Sequence, residues 1–185
     1  MKNKTLWIVI AVVLLVLIYV WGGYNSFVAK NAAVDKQWAQ VETQYQRRLD
    51  LIPNLVESVK GIMKQEQTVF MALADARTKY GGAATVDEKA AAAGQVESAL
   101  GRLLVVMENY PQLKSSDTVQ TLMVQLEGTE NRVSVERARF NDNVQVLNIA
   151  VKSFPSNLIA NAFGFTERAY FEAATGAQNA PTVSF

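Results

Sequence analysis

The chain contains neither cysteine nor histidine. Without thiols there is no disulfide framework, no thiolate nucleophile and no acylated lipobox, and cysteine usage leaves the redox compartment undecided. Without imidazoles the usual zinc sites and the commonest acid–base group are missing. There are only four prolines, and no segment sustains the period-two alternation of a half-buried strand, so strands are not expected. No charge sign dominates either: 18 basic and 17 acidic residues leave a formal net charge of +1. A nucleic-acid binder would carry a pronounced basic surface, so that class is set aside. Gly81-Gly82 is followed by alanines rather than Lys-Ser/Thr, and no G-x-S-x-G turn occurs, which removes the common phosphate loop and the nucleophile elbow.

One long apolar run opens the chain. After the short basic segment 1–5, every residue from Leu6 to Trp21 is apolar or aromatic, and Gly22, Gly23 and Tyr24 carry no charge. That is about the 20 residues a helix needs to cross a bilayer. Trp7 at one end and Tyr19, Trp21 and Tyr24 at the other match the aromatic belts of the two membrane interfaces. Trp21 and Phe27 spoil the nearest small-x-small cleavage sites, so 6–24 reads as an uncleaved transmembrane anchor. Lys2 and Lys4 before it outweigh Lys30 and Lys36, offset by Asp35, only slightly. The expected N-terminus is therefore cytoplasmic and the remainder extracytoplasmic.

The remainder is helical in pattern. Heptads run through Val34, Trp38, Val41, Tyr45, Ile52, Leu55, Val59, Ile62, Val69 and Leu73, interrupted at Arg48 and Glu66. Leu49, Val56, Met63 and Phe70 widen the stripe to what a bundle helix buries. The expected first helix continues from the membrane to about Lys79, with a hinge at Gly22-Gly23, a kink at Pro53 and a stop at Gly81-Gly82. Thr85 and Glu88 form a capping box for a second helix through Ala92, Val96, Ala99, Leu103, Val106 and Tyr110, ended by Pro111. Asp117 is the expected cap of a third helix through Val119, Leu122, Leu126, Val133, Phe140, Leu147 and Phe154, closed by Pro155. Ser156 then caps a short helix ended by Gly164, and TERAYFEA adds one more turn. The fold class is all-α: an N-terminal transmembrane helix, then an antiparallel up-and-down bundle of three long helices and one short C-terminal helix. The bundle occupies 25–171, and 172–185 reads as a flexible tail.

Polar residues on or beside the buried stripes are the candidate site. They are Arg47, Arg48, Asp50 and Asn54 on the first helix, and Glu130, Asn131, Arg137 and Asn141 on the third. Arginines and carboxylates meeting across two helices would fix register and partner, as polar residues in coiled coils do. A carboxylate metal site from Glu127, Glu130 and Glu136 is the functional alternative. It lacks the Glu-x-x-His pairs such bundles use, and arginines beside it compete for the acids. No cofactor and no catalysis are expected.

YNSFV after the anchor, W-x-Q-V-E from Trp38 to Glu42, RRLDLIPNLVESVKG from Arg47 to Gly61, ENYPQLKSS and TENRVSVERARFNDNVQVLN together resemble the LemA family of bacterial membrane proteins. The resemblance covers Tyr24 to about Phe171 and implies an N-terminal transmembrane helix, an antiparallel helical bundle and no assigned catalytic residue. Phe27, Leu49 and ERARFN depart from the family's common residues. The expected protein is a single-pass component of the bacterial inner membrane with its bundle in the periplasm. Its partners are the lipid bilayer, further copies of itself and other envelope membrane proteins, and the seam from Val34 to Tyr45 is left free for a neighbouring copy. The alternative expectation is transport or ligand binding at the polar layer.

Overall fold

The computed structural model describes residues 2–113 and 115–171, so the tail 172–185 lies outside the described residues. It contains five α-helices: α1 Lys2–Lys60, α2 Gln67–Gly82, α3 Val86–Met107, α4 Asp117–Lys152 and α5 Ser156–Phe163, with a 3-10 turn at Pro111–Leu113. Among the described residues there is no strand. The all-α expectation holds, with the boundaries redrawn: the anchor and the start of the bundle form one helix, and the expected first bundle helix is divided between α1 and α2.

The division comes from a break in the first heptad series. α1 ends at Lys60 rather than continuing to Lys79, and residues 61–66 form a corner before α2. The N–H groups of Ile62 and Met63 both donate to the carbonyl of Val59, and Met63 is wholly buried inside the turn. The apolar register survives across the corner, so periodicity alone cannot separate one helix from two. Gly81 and Gly82 stay inside the last turn of α2, and extended Ala83 follows. Among the described residues only Gly164, at φ 75°, takes the left-handed conformation, and it ends α5.

Contacts divide the described chain into two compact units. One comprises the chain start to Ala39 with Ala138–Tyr170, and the other Gln40–Arg137 with Phe171. In the first unit, the apolar run of α1 lies uncovered by the described chain, with a mean hydropathy of 2.6 in its most apolar window. It is helix without interruption, so Gly22-Gly23 is not a hinge there. Gly23 instead admits Ile159 of α5, whose Cδ1 occupies the space a Cβ would take. Trp38 packs edge-on against Phe140 of α4 at 5.6 Å. Phe165 stacks on Phe27 at 5.0 Å. Residues 165–171 are non-helical, against the extra turn expected there. Asn148, buried, holds this segment by accepting from Arg168 N–H and donating to its carbonyl, both at 2.9 Å. A side chain that pairs with both backbone groups substitutes for the helical hydrogen bonds the segment lacks.

In the second unit, α2 and α3 pack against each other. The Thr85–Glu88 capping box forms as expected, with both reciprocal hydrogen bonds present. α3, with 22 residues, is apolar and long enough to cross a bilayer, but Ala92, Ala93, Val96, Ala99, Leu100 and Leu103 bury its face in the core. α4 runs antiparallel to α1, since Arg48 meets Glu130 while Tyr45, earlier in α1, meets Arg137, later in α4.

Four further expectations change. Ser116, one residue before Asp117, offers its hydroxyl to the Val119 N–H, at 3.5 Å. Ser156 does not cap α5: its hydroxyl lies within hydrogen-bond distance of the carbonyls of Ala150, in the last turn of α4, and of Ser153, which also accepts from the Asn157 N–H. Phe154 is 80% exposed rather than part of the seam, because α4 ends two residues before it. The seam from Val34 to Tyr45 is not free either. Val34, Trp38, Val41 and Tyr45 are all buried within the chain.

Candidate functional site

The polar layer belongs to the second unit and is built by three helices. α1 contributes Tyr45 and Arg48 one turn apart, on the face that also carries Val41 and Ile52 to the core. α3 contributes Glu97, and α4 contributes Glu130 and Arg137. Arg48 pairs with Glu130 and lies 3.9 Å from Glu97. Arg137 pairs with Glu97 and donates to the Tyr45 hydroxyl. Tyr45 donates in turn to Glu97 at 2.8 Å. Two arginines thus face two carboxylates, so the layer carries no net charge. The guanidinium of Arg137 also lies over the ring of Phe171 at 4.2 Å, close enough for a cation–π contact.

Burial, and after it the neighbouring carboxylate of Glu97, pushes the Tyr45 phenol far above its ordinary range. It stays a neutral donor across all physiological pH. With one side chain donating and accepting between charged groups, the layer is a connected network, in which the buried Nε atoms of Arg48 and Arg137 have no hydrogen-bond partner among the described residues.

Of the residues expected at this site, the fold brings together Arg48, Glu130 and Arg137. Arg47, Asp50, Asn54 and Asn131 are solvent-exposed. The reason is rotational: about 100° separates successive residues on a helix, so neighbours of Arg48 in sequence point elsewhere. Asp50 accepts from Gln46 on the surface at 2.9 Å. Asn141 is half-buried and belongs to the first unit. α1 passes through half-buried Pro53 as continuous helix. The sequence reading missed Tyr45, filed as core, and Glu97. A signal existed for Glu97: it lies four residues after Ala93 and three before Leu100, both buried on α3. No three carboxylates gather as a metal-binding group among the described residues.

A second polar feature lies nearby in the same unit. Glu42 and Lys89 form an ion pair beside a cavity of about 330 Å³, lined also by Gln46, Leu49, Arg77, Tyr80 and Gly81. Tyr80 is buried, and its hydroxyl finds no hydrogen-bond partner among the described residues. Burial, and secondarily Glu42, raises its pKa well beyond the ordinary tyrosine range, so it too remains a donor.

The LemA family model matches residues 37–185, most of the chain. The protein belongs to the LemA family. Two similar proteins are magnetosome protein MamQ 2 of Paramagnetospirillum magneticum strain AMB-1 and magnetosome protein MamQ of Magnetospirillum gryphiswaldense strain MSR-1. They are 29% and 28% identical to it over 175 and 174 residues. Each match covers 80% of this chain and 64% of the relative. The chain therefore spans somewhat less than two thirds of the length of these relatives. In this LemA protein the apolar part of α1 and the family assignment together mark a membrane-associated helical protein. Neither the family's description nor the relatives' names denote an enzyme.

Proposed function

We propose that this LemA protein is a single-pass inner-membrane protein whose periplasmic helical bundle acts by protein–protein interaction, as a self-assembling scaffold or as an adaptor for another envelope protein. The observation that carries the proposal is an uncharged row, two valines with a glycine and an asparagine between them, on the outer face of α4. Val124 and Val135 are 68% and 48% exposed, and Gly128 and Asn131 fall between them at helical spacing. Single exposed valines are ordinary, but a row on one helix face is a surface a second helix can pack on. A Cβ at Gly128 would meet nothing within 4 Å, so the face is open there to close approach. The MamQ relatives are named for a cellular structure and not for a reaction, which supports the same reading.

The polar layer then has a structural part: it sets which residues of α1, α3 and α4 meet. Measuring the mass of the full-length protein in mild detergent tests self-assembly. A discrete oligomer that Val124→Glu together with Val135→Glu reduces to monomer is the expected result. A monomeric wild-type particle that recruits no envelope protein overturns the proposal.

A second reading, small-ligand binding, is supported by the cavity beside Tyr80. Its lining offers donors from Tyr80, Arg77 and Lys89, with Glu42 as the one carboxylate. This set suits a small carboxylate or phosphate monoanion. Calorimetric titration with acetate and inorganic phosphate, on wild type and Tyr80→Phe, tests it, and heats equal to buffer dilution in both would end this reading.

A further inference from the structure

The stretch between Lys152 and Glu167 contains no charged residue, and its two flanking charges pair with each other at 2.7 Å. It folds as a turn at Phe154 and Pro155, helix α5 and the glycine-ended turn to Phe165. One side of α5 is committed to α1. Ile159 and Ala160 are buried, Ile159 fills the space over Gly23, and Phe163 meets Tyr24 edge-on at 5.1 Å. The other side is uncovered and mostly apolar: Phe154 is 80% exposed and Leu158 60%, Phe163 keeps half its surface free beside Tyr24, and Asn161 is an exposed polar residue among them.

The place where α5 docks decides what covers that side. Gly23 and Tyr24 follow directly on the apolar run that ends at exposed Trp21. α1 stays uncharged beyond this point until Lys30. The uncharged stretch is thus longer than the roughly 20 residues that span a bilayer, and α5 lies against the surplus. Large aromatic and aliphatic side chains at that level, with the nearest charges drawn into a pair, have the composition of a membrane-interface element.

We propose that α5 and its flanking turns lie in the headgroup region of the phospholipid bilayer, with Phe154, Leu158 and Phe163 directed into the lipid, as a second membrane contact beside the transmembrane part of α1. The proposal rests on the reading of Leu6–Trp21 as the membrane span. The anchor and α5 then form one wedge, held together by the Gly23–Ile159 contact and the Tyr24, Phe27 and Phe165 rings.

The absence of cysteine from the chain makes the test direct. Full-length protein bearing a single nitroxide at Phe154→Cys, Leu158→Cys or Phe163→Cys is reconstituted in phosphatidylcholine–phosphatidylglycerol vesicles. Collision rates with oxygen and with a water-soluble nickel chelate are then compared. Glu57→Cys, at a side chain 74% exposed, serves as the exposed reference and Leu14→Cys as the membrane reference. The expected result is an oxygen-to-nickel ratio several-fold above that of position 57 at all three sites. A ratio equal to that at position 57, with Leu14 lipid-like, overturns the proposal while leaving the anchor in place. Shielding from both probes overturns it as well, since a protein partner would then cover the face. A water-like Leu14 defeats the anchor reading itself and the proposal with it.

Discussion

Arg48 of α1 and Arg137 of α4 converge on one carboxylate, Glu97 of α3, and each has a second partner: Glu130 for Arg48 and the Tyr45 hydroxyl for Arg137. Both guanidiniums are largely withdrawn from water, with side-chain exposures of 8% and 18%. Removing the shared acid leaves an excess of buried positive charge. Glu97→Ala is expected to destabilise the bundle by roughly 3 kcal/mol, the lower end of the cost of breaking a buried pair. Arg48→Ala should cost less, about 2 kcal/mol, because Glu130 is 46% exposed and Glu97 keeps Arg137. Arg47→Ala, on the solvent side of the same helix, should stay within about 0.5 kcal/mol of wild type. Denaturant unfolding followed by circular dichroism distinguishes the three, and equal losses at Arg47 and Arg48 would refute the layer.

Tyr45 and Tyr80 should make the protein sensitive to alkali. Burial first, and the carboxylates of Glu97 and Glu42 second, raise both phenols above the ordinary value of 10.0. A raised folded pKa means that the folded state holds its proton longer than the unfolded state. The stability this contributes is fully present below about pH 10 and is lost as pH rises from there toward the folded values. Absorbance at 295 nm should show two tyrosines that ionise only with unfolding. Tyr45→Phe and Tyr80→Phe should each remove one of them. Tyr45→Phe also removes a hydrogen bond to a charged acceptor, at a cost of about 2 kcal/mol.

The start of α3 should be sensitive to acid. Glu88 accepts from the N–H groups of Ala84 and Thr85, which hold its carboxyl below the ordinary range. With the folded pKa depressed, its contribution is present above the unfolded value and lost as pH falls through the folded one. Thr85→Ala removes the other half of the box and should cost about 1 kcal/mol, typical of an N-cap. In Glu88→Gln, hydrogen exchange at 85–89 should lose its dependence on pH through the carboxylate range. Unchanged dependence would assign the effect to another acid.

Asn148 holds both backbone groups of Arg168 with one side chain. Asn148→Ala leaves them without their partners, an expected loss of roughly 2 kcal/mol. Hydrogen exchange at 166–170 should accelerate at least tenfold, while the second unit keeps wild-type protection. Protection retained at 166–170 would show that the Phe27–Phe165 stack and the Lys152–Glu167 and Arg168–Asp35 pairs hold the segment without Asn148.

What was legible in the sequence was whatever depends on near neighbours along the chain. The Thr85–Glu88 box, the glycine stop at Gly164 and the uncharged run ending at Trp21 each depend on residues within a few turns of one another. Local patterns of that kind survive in any fold that keeps the helix. The buried face of α1 was legible for the same reason, and Arg48 stood out because it interrupted that face. Its neighbours Arg47 and Asp50 were drawn in by proximity in sequence, which a helix converts into opposite directions.

The amino-acid sequence by itself determined that this is a helical member of the LemA family with a long apolar N-terminal run, because periodicity, caps and motifs are properties of the chain. Only the tertiary structure decided that α1 turns a corner at 61–66, since the heptad register is the same with or without it. It also decided that Glu97 is the acid shared by Arg48 and Arg137. The corner brings α3 alongside α1, and which charges then meet depends on residues some forty to ninety positions apart, as the separations of Arg137 from Glu97 and from Tyr45 show. The position of α5 against Gly23 was decided in the same way. Nothing in SNLIANAF names the helix it will pack on, and only the folded chain brings it beside the end of the apolar run.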